Sequence, residues 1–456
     1  MSIEYKHPRN IILSRPDHIG DFLLALPLAA QAKCLWPCRL TVIGSAKTAS
    51  LKPALPWVDE IWDGSQVNET KLRAGAFDTG FFPKENDIFI PMAYRACIPK
   101  RIGRWYKPDD LLHLNKGYWR SHRKYFFRFQ TYQNLDLLRT LDKHSILETK
   151  FEFAAERLAK ADSVFEFEKA FSNPQWTLFI LDAVTARPLG ERSWIVLATA
   201  LLQRYPNMLI GLCATPRSEP RAQAIKQGLA AELQNRILID PGKTSIAELA
   251  RWVKDSRLVV GPSTGPMHLA AACGTPQVCV YVSQDICPTR WQPWSLASLA
   301  IKDVPHCHMR CHPWECTAAP TTCDVHLDSK KLVDACMRML DGFKHANSEN
   351  FKQHLMQQAL SILCTEAAHT EVLTQAGYHA FTIKDRRWKN LTAQLLASKC
   401  NVLVTQNHLE ALALQPANIY NSNFTGIRAP IYVSKASLDI ELFEAWIIKN
   451  LGLQEP

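Results

Sequence analysis

Residues 11–33 read IILSRPDHIGDFLLALPLAAQAK. The apolar run at 11–14 predicts a short buried strand, Gly20 permits a tight turn, and residues from about 21 to 33 predict a helix. Asp21 would then lie at the helix N-terminus beside the mouth of a sheet, where the helix dipole stabilises a carboxylate. An aspartate that simply caps the helix would occupy the same position, so spacing alone leaves both interpretations open.

The alternation of strand and helix patterns continues along the chain. Further strands are predicted at 40–44, 56–62 and 87–90, and a polar stretch at 147–169 has a helical pattern. The series then restarts with strands at 176–181, 208–212, 236–239, 258–261 and 277–281 and a helix at 194–205. This order favours parallel sheets covered on both faces. We therefore expect an α/β fold with two Rossmann-like, doubly wound units facing a cleft.

A third, smaller α/β unit is predicted at the end of the chain. It contains strand patterns at 401–404 and 430–433 and a helix pattern at 438–450, and no motif in it points to a reaction. The predicted domains are residues 1–172, 173–345 and 346–456.

Composition excludes several classes of protein. A hydrophobic content of 47% with 21% charged residues is typical of a globular protein and argues against large-scale disorder. The apolar stretch at 22–30 is too short to span a bilayer, and the polar start of the chain does not resemble a signal peptide. We therefore expect a cytoplasmic protein with mostly reduced cysteines.

One cysteine cluster stands apart from the rest, formed by Cys307, Cys311, Cys316 and Cys323. Its spacing lacks the paired two-residue gaps of a zinc ribbon. Reduced loop cysteines and a structural metal site are both compatible with it.

Most of the net charge of +10 lies in residues 94–130, which hold ten Lys or Arg against two Asp, together with nine aromatic residues. Such a segment suits a polyanion, an anionic membrane surface or a phosphorylated glycolipid. A solvated basic face over an aromatic core would give the same composition.

A second strand-to-helix junction reads GPSTGPMHLAAA at residues 261–272. Free N–H groups at such a helix start bind phosphate, and the hydroxyls of Ser263 and Thr264 add donors. The segment has the glycine pattern of neither a Walker loop nor a dinucleotide fingerprint, and an ordinary glycine turn remains an alternative.

Taken together, the two junctions resemble glycosyltransferase family 9, the bacterial heptosyltransferases. The first carries an arginine before Ile-Gly-Asp and a Leu-Pro helix, and the second carries Thr-Gly-Pro-x-His-Leu-Ala-Ala-Ala. Colinear matches to the family's segments occur at residues 15–28, 56–61, 100–103, 134–138, 192–194 and 264–274, and the cysteine cluster lies where many members carry one.

The resemblance implies a GT-B fold whose first domain binds the acceptor and whose second binds a nucleotide-sugar. ADP-heptose would be the donor and the inner core of lipopolysaccharide the acceptor. Asp21 would act as the catalytic base of a single inverting displacement. Arg192, Thr264 and the amide of Gly265 would stabilise the leaving diphosphate. Thr185, Arg187, Ser263 and His268 complete the expected donor-binding set.

The expected acceptor-binding residues are Arg15, His18, Arg101, Arg104, Arg123 and Lys124, because the acceptor is anionic. No cofactor and no metal ligand is expected. Basic and backbone donors can replace Mg²⁺ on the diphosphate, although the sequence does not exclude the ion. The resemblance also implies peripheral contact with the inner face of the membrane, and no nucleic-acid partner.

Three departures from the family pattern keep alternatives open. Ser263 stands where many members have an aspartate that holds the donor sugar's hydroxyls, His18 stands where arginine is frequent, and a third domain is added. The same mechanism with another donor or acceptor is therefore one alternative, and a sugar-nucleotide-binding protein that has lost turnover is another. Nucleic-acid binding rests on the basic segment alone, without a binding motif.

Overall fold

The computed structural model describes residues 7–119, 130–142, 151–158, 176–183, 188–240, 242, 244–281, 291, 293, 298–302, 327–342, 361–364, 367–375, 379–382, 402–405 and 431–433. The chain forms two compact units. One comprises Met1–Phe126, Gln130–Ser163 and Thr244–Lys254, and the other comprises Phe127–Phe129, Val164–Lys243 and Asp255–Pro456.

The first unit is built on a six-stranded parallel sheet with the order β3-β2-β1-β4-β5-β6. Its strands are β1 (Asn10–Ser14), β2 (Arg39–Gly44), β3 (Glu60–Asp63), β4 (Thr79–Phe82), β5 (Lys100–Trp105) and β6 (Lys116–Trp119). Strands β1 and β4 are almost wholly buried, as expected for parallel strands covered on both faces.

Helices connect these strands. They are α1 (Ile19–Leu35), α2 (Ala46–Ala49), α3 (Glu69–Ala74), α4 (Phe89–Arg95), α5 (Asp110–His113) and α6 (Gln130–Leu135), with 3₁₀ turns at Lys52–Ala54, Gly64–Gln66, Leu138–Thr140 and Ala155–Arg157. Helix α1 is apolar on nearly all sides because it is enclosed by the core. The side-chain amide of Asn134 in α6 donates to the carbonyl oxygen of Leu24 at 2.9 Å, which fixes α1 from outside the sheet.

The second unit repeats the arrangement with a six-stranded parallel sheet of order β12-β11-β10-β7-β8-β9. Its strands are β7 (Trp176–Ile180), β8 (Leu209–Cys213), β9 (Ile237–Ile239), β10 (Leu258–Pro262), β11 (Gln277–Tyr281) and β12 (Ser298–Lys302). Its core includes Trp194, whose ring lies 4.9 Å from that of Phe179, centroid to centroid.

The helices that follow α6 along the chain are α7 (Glu191–Arg204), α8 (Glu219–Gln227), α9 (Ala231–Gln234), α10 (Ile246–Asp255), α11 (Gly265–Ala272) and α12 (Ser329–Gly342). The apolar face of α7 buries Trp194, Leu197 and Leu201 in that core, as its 3.6-residue pattern predicts.

A third sheet of four parallel strands has the order β14-β13-β15-β16. It consists of β13 (Ser361–Cys364), β14 (His379–Thr382), β15 (Val402–Thr405) and β16 (Ile431–Val433), with α13 (Ala367–Gln375) between the first two strands. The strands predicted near 401–404 and 430–433 are confirmed. The helix predicted at 438–450 and both predicted domain boundaries lie outside the described residues, and the boundaries stay predictions.

Two sequence predictions are wrong. Residues 87–90 are not a strand: Asp87 precedes α4, and the strand of this region is β4 at Thr79–Phe82. The apolar run at 88–90 suggested a strand, but Ile88 is 64% exposed and Pro91 lies in the first helical turn, where proline is tolerated. The helical pattern at 147–169 gives only the short turn Ala155–Arg157 within the described residues 151–158.

Candidate functional site

Each six-stranded sheet has one place where the winding of the chain reverses. From β1 the chain proceeds outward through β2 and β3, then returns to β4 beside β1 and proceeds the other way. In the second sheet β7 and β10 are the corresponding neighbours. Ligands of such sheets bind beyond the carboxyl ends of the strands at this reversal. The two junctions singled out in the sequence follow β1 and β10, so each lies at the reversal of its own sheet.

Asp21 lies in the first turn of α1, the helix that follows β1. The residue that caps this helix is His18, which is exposed and makes no side-chain capping bond. The Oδ1 atom of Asp21 accepts a hydrogen bond from Nη2 of Arg15 at 2.5 Å, and the side chain remains 19% exposed. Asp21 is therefore held by an arginine and open to solvent, which a simple cap would not require.

Arg15 directly follows β1, and its side chain is only 7% exposed. Its Nε lies 3.0 Å from Oδ1 of Asp17, so the one guanidinium pairs with two carboxylates. Burial raises the pKa of Asp17, the charge of Asp21 adds to that rise, and the cations of Arg15 and Lys84 oppose it. This arrangement favours a structural link between the carboxylates over the acceptor contact expected for Arg15.

The second junction begins at Thr264, which caps α11, and Gly265 is the first residue of that helix. The cap is made by main chain, because the N–H of Met267 donates to the carbonyl oxygen of Thr264 at 3.1 Å. In the part of the chain that the structure describes, the hydroxyl of Thr264 and the N–H of Gly265 have no hydrogen-bond partner. These two donors at a helix N-terminus can bind an anion.

Arg192 is the second residue of α7, the helix that follows β7. It is exposed, and among the described residues its guanidinium forms no hydrogen bond or ion pair. Ser263 lies between the end of β10 and Thr264 and is 7% exposed. His268 lies one turn into α11 and is also buried. Because β7 and β10 are adjacent, Arg192 and Thr264 follow neighbouring strands of one sheet at the same edge.

Of the other predicted residues, two arginines bond to the protein itself and four residues lie outside the described part of the chain. Arg104 is 3% exposed, and its guanidinium donates to the carbonyl oxygen of Pro83, to Gln133 and to Asn134. Arg101 donates to the carbonyl oxygens of Ile98 and His113. Both arrangements favour structural roles for these arginines. Thr185, Arg187, Arg123 and Lys124 lie outside the described residues.

Three residues at the reversal of the first sheet were not assigned a role from sequence. Asp17 lies inside the opening motif, only two residues from Arg15, so its spacing could have suggested it. Lys84 and Asp87 follow β4, the neighbour of β1, and only the strand order reveals that they share this edge. Burial raises the pKa of Asp87, while the N–H of Phe89, the hydroxyl of Ser14 and the cations Lys84 and Arg15 oppose the rise.

No group of three or more His, Cys, Asp or Glu side chains within the described residues could hold a metal ion. The cluster formed by Cys307, Cys311, Cys316 and Cys323 lies outside them. Among the helices that the structure describes, none combines the length and the apolar character needed to cross a bilayer.

Two successive doubly wound parallel units, one with a carboxylate and the other with free anion-binding donors at the reversal of its sheet, have the architecture of GT-B glycosyltransferases. Residues 99–320 match the model of the family described as Glycosyltransferase family 9 (heptosyltransferase), so this region is a domain of that family and the resemblance seen in the sequence is confirmed. The matched region includes Arg192 and the 263–265 turn, and it begins after Asp21.

Relatives extend the similarity beyond that region. A Haemophilus influenzae protein named as a glycosyltransferase, with no donor or acceptor in its name, is 26% identical over 308 residues, which are 62% of this chain and 85% of the relative. Lipooligosaccharide heptosyltransferase 2 of the same organism is 25% identical over 300 residues, covering 60% of this chain and 83% of its own.

A solved structure shares the fold. The E. coli ADP-heptose lipopolysaccharide heptosyltransferase II aligns with a TM-score of 0.55 at 17% identity, over 73% of this chain and 98% of its own. At that identity the likeness establishes the GT-B fold alone. With the family match over residues 99–320, the chain is similar to heptosyltransferases both in sequence and in fold.

Proposed function

We propose that the protein transfers a heptose, or a related sugar, from ADP-heptose to an inner-core lipopolysaccharide acceptor with inversion at the anomeric carbon. The observation that carries this proposal is the position of Asp21. Its carboxylate is partly exposed and is held by Arg15 at the reversal of the first sheet. A general base must be ionisable, accessible and fixed in position, and Asp21 has these properties.

In the proposed mechanism Asp21 takes the proton of the acceptor hydroxyl as that oxygen attacks the anomeric carbon. The bond from this carbon to the diphosphate breaks in the same displacement, so no second carboxylate nucleophile is required. Negative charge then grows on the leaving ADP. Arg192, the hydroxyl of Thr264 and the N–H of Gly265 would stabilise that charge, because these donors are not used within the described protein.

The identities of donor and acceptor rest on relatives. One relative is named for a lipooligosaccharide heptosyltransferase reaction, and a structural relative from E. coli is a heptosyltransferase solved with ADP. Ser263 stands in place of the aspartate common in the family, so another nucleotide-sugar with the same mechanism is the alternative within the enzyme class. We propose that the reaction needs no cofactor.

We further propose that the enzyme works in the cytoplasm at the inner face of the membrane, where its acceptor would lie. Leu111, Leu112 and Trp119 expose large apolar side chains, and Lys107 and Lys116 are exposed near them in sequence. Apolar side chains among lysines suit an anionic lipid surface. The proposal assigns this basic segment to an anionic glycolipid and not to nucleic acid.

The test is a screen for release of ADP, UDP and GDP from nucleotide-sugars in the presence of a lipopolysaccharide acceptor. Wild type is compared with Asp21→Asn, which keeps the shape of the side chain and removes its basicity. Glu69→Gln is the matched control, since Glu69 also lies in a first helical turn and pairs with Arg73 and Arg95.

We expect ADP release by wild type and by Glu69→Gln, and a loss of about 10²- to 10⁴-fold in Asp21→Asn, the range expected for a general base. If a different nucleotide is released, the donor assignment changes and the mechanism stands. If none is released although a nucleotide-sugar binds, the protein is a binding protein without turnover. Normal turnover by Asp21→Asn would refute the assignment of the base.

A further inference from the structure

We propose that Arg15 is a positioning residue that fixes Asp21 as the base, and that Asp17 anchors Arg15. This inference rests on the proposed function of Asp21. It replaces the acceptor contact expected for Arg15 with a role inside the protein, and it gives Asp17 a role that the sequence did not suggest.

The main chain of Arg15 is held by a hydrogen bond to the neighbouring strand. Its N–H donates to the carbonyl oxygen of Ile43 at 2.8 Å, which ties the residue to β2 immediately after β1 ends. The side chain is 7% exposed, so its rotamers are restricted by the surrounding core. A guanidinium fixed at its base and enclosed along its length is a rigid point from which to hold another group.

The guanidinium uses different nitrogens for the two carboxylates. Nε lies 3.0 Å from Oδ1 of Asp17, and Nη2 donates to Oδ1 of Asp21 at 2.5 Å. A lysine ammonium could not reproduce this geometry, because it presents a single charged atom in place of a planar fork. The guanidinium therefore lies between the two carboxylates, with an ion pair to Asp17, which makes no hydrogen bond through these two atoms, and a hydrogen bond to Asp21.

The contact leaves one oxygen of Asp21 available. Oδ1 is the atom bound by Arg15, and Oδ2 makes no hydrogen bond with any residue that the structure describes. Arg15 is more buried than Asp21, whose side chain is 19% exposed, so an incoming hydroxyl meets the carboxylate before the cation. Oδ2 is thus the oxygen that would accept the proton, and Arg15 sets its direction.

The charges around the pair support this arrangement. Asp17 and Asp21 would repel each other if no cation lay with them, and Arg15 supplies that cation from the end of β1. Lys84, which follows β4, is the second cation that acts on Asp17. Burial raises the pKa of Asp17 and the cation of Arg15 lowers it, so Arg15 stabilises the charged form of this carboxyl.

The first test needs neither donor nor acceptor. Thermal unfolding is measured for wild type, Arg15→Gln, Asp21→Asn and the double variant. If Arg15 holds Asp21, the double variant loses clearly less in Tm than the sum of the two single variants. Additive losses would overturn the inference, whatever the activity of the protein.

The second test separates positioning from acceptor binding by kinetics. We expect Arg15→Gln to lower kcat by about 10²-fold, the loss typical of a misplaced catalytic group, with KM for the acceptor changed by less than about threefold. Arg15→Lys should recover part of the loss, and Asp17→Asn should lower kcat by about tenfold.

Guanidinium ion at millimolar concentration should partly restore the activity of Arg15→Ala. Arg73→Gln, which breaks an exposed pair with Glu69, is the matched control and should keep wild-type kcat.

A rise in KM for the acceptor with kcat retained in Arg15→Gln would overturn the inference and restore Arg15 as an acceptor contact. If the wild type releases no nucleotide from any donor, the proposed function fails. The unfolding measurements would still decide whether Arg15 holds Asp21, so the two failures are distinguishable.

Discussion

Asp87 accepts a hydrogen bond from the main-chain N–H of Phe89 at 3.0 Å although the residue is only 3% exposed. The carboxyl thereby caps α4 at the edge where β1 and β4 are neighbours. The Ser14 hydroxyl at the end of β1, the Arg15 cation just beyond that strand and the Lys84 cation after β4 all act to lower the pKa of this carboxyl. Burial still prevails and raises its pKa above the usual value of 3.8.

The raised pKa predicts how stability depends on pH. In the range from about 3.8 up to its folded pKa, the folded protein binds more protons at Asp87 than the unfolded chain, so the contribution of this group to stability falls as pH rises. Asp87→Asn keeps an acceptor for Phe89 and removes the charge. We expect this variant to be more stable than wild type at pH 7, because the neutral amide avoids the desolvation penalty that raises the pKa of the carboxyl.

Denaturant unfolding between pH 4 and pH 8 would measure the effect. Asp87→Ala is the control, because it removes the cap and should lose about 1 kcal/mol even where the carboxyl is neutral. An Asp87→Asn variant whose stability follows pH as steeply as that of wild type would contradict the prediction.

Arg192→Gln should lower kcat for nucleotide release by about 10²- to 10³-fold, since it removes a charged donor from the leaving group in the proposed mechanism. Thr264→Val should lose about 10- to 100-fold, the range for one hydrogen bond to a charged group, and Thr264→Ser should stay near wild type. Arg204→Gln at the other end of α7 is the control and should be fully active. Steady-state kinetics at saturating acceptor would measure these changes, and full activity in Arg192→Gln would remove that residue from the site.

Arg104→Met should destabilise the first unit by about 2–4 kcal/mol, because it leaves the buried acceptors on Pro83, Gln133 and Asn134 without their donor. The Arg104→Met protein that remains folded should have the same KM for the acceptor as wild type. Chemical denaturation and acceptor titration of the same preparation would separate the two effects. A tenfold rise in KM without loss of stability would instead support the acceptor contact expected from the sequence.

Gly117 in β6 has a φ of +152°, and a Cβ there would lie 1.9 Å from the carbonyl oxygen of Gly103 in β5. Gly117→Ala should therefore cost more than about 3 kcal/mol, as expected when main chain must move. Gly274 follows α11 with a φ of +71° and has open space around it. Gly274→Ala should cost only about 1–2 kcal/mol, from backbone conformation alone. Equal losses in denaturant unfolding would show that the contact with Gly103 relaxes freely.

The type and order of most helices and strands could be predicted from local sequence patterns. Strands such as β7 and β11, and helix α7, were predicted from apolar periodicity because that pattern is local and follows from which face is buried. The error at residues 87–90 has a local cause too, because the apolar residues 88–90 suggest a strand while Asp87 and Pro91, on either side of them, favour the start of a helix. The two junctions were also visible, since their glycines and polar residues lie close together in the chain.

How these helices and strands meet depends on contacts between segments that are distant in the chain. The order of strands brings Lys84 and Asp87 to the same sheet edge as the segment that follows β1, and it shows that Arg192 and Thr264 follow neighbouring strands of one sheet. Hydrogen bonds between strands distant in sequence set that order. Burial also distinguishes arginines that the sequence had given similar binding roles. Arg104 reaches partners 21 to 30 residues away in the interior, whereas Arg192 is exposed without a partner in the described chain. Desolvation and long-range hydrogen bonding depend on everything that packs around a group, and no local spacing contains that information.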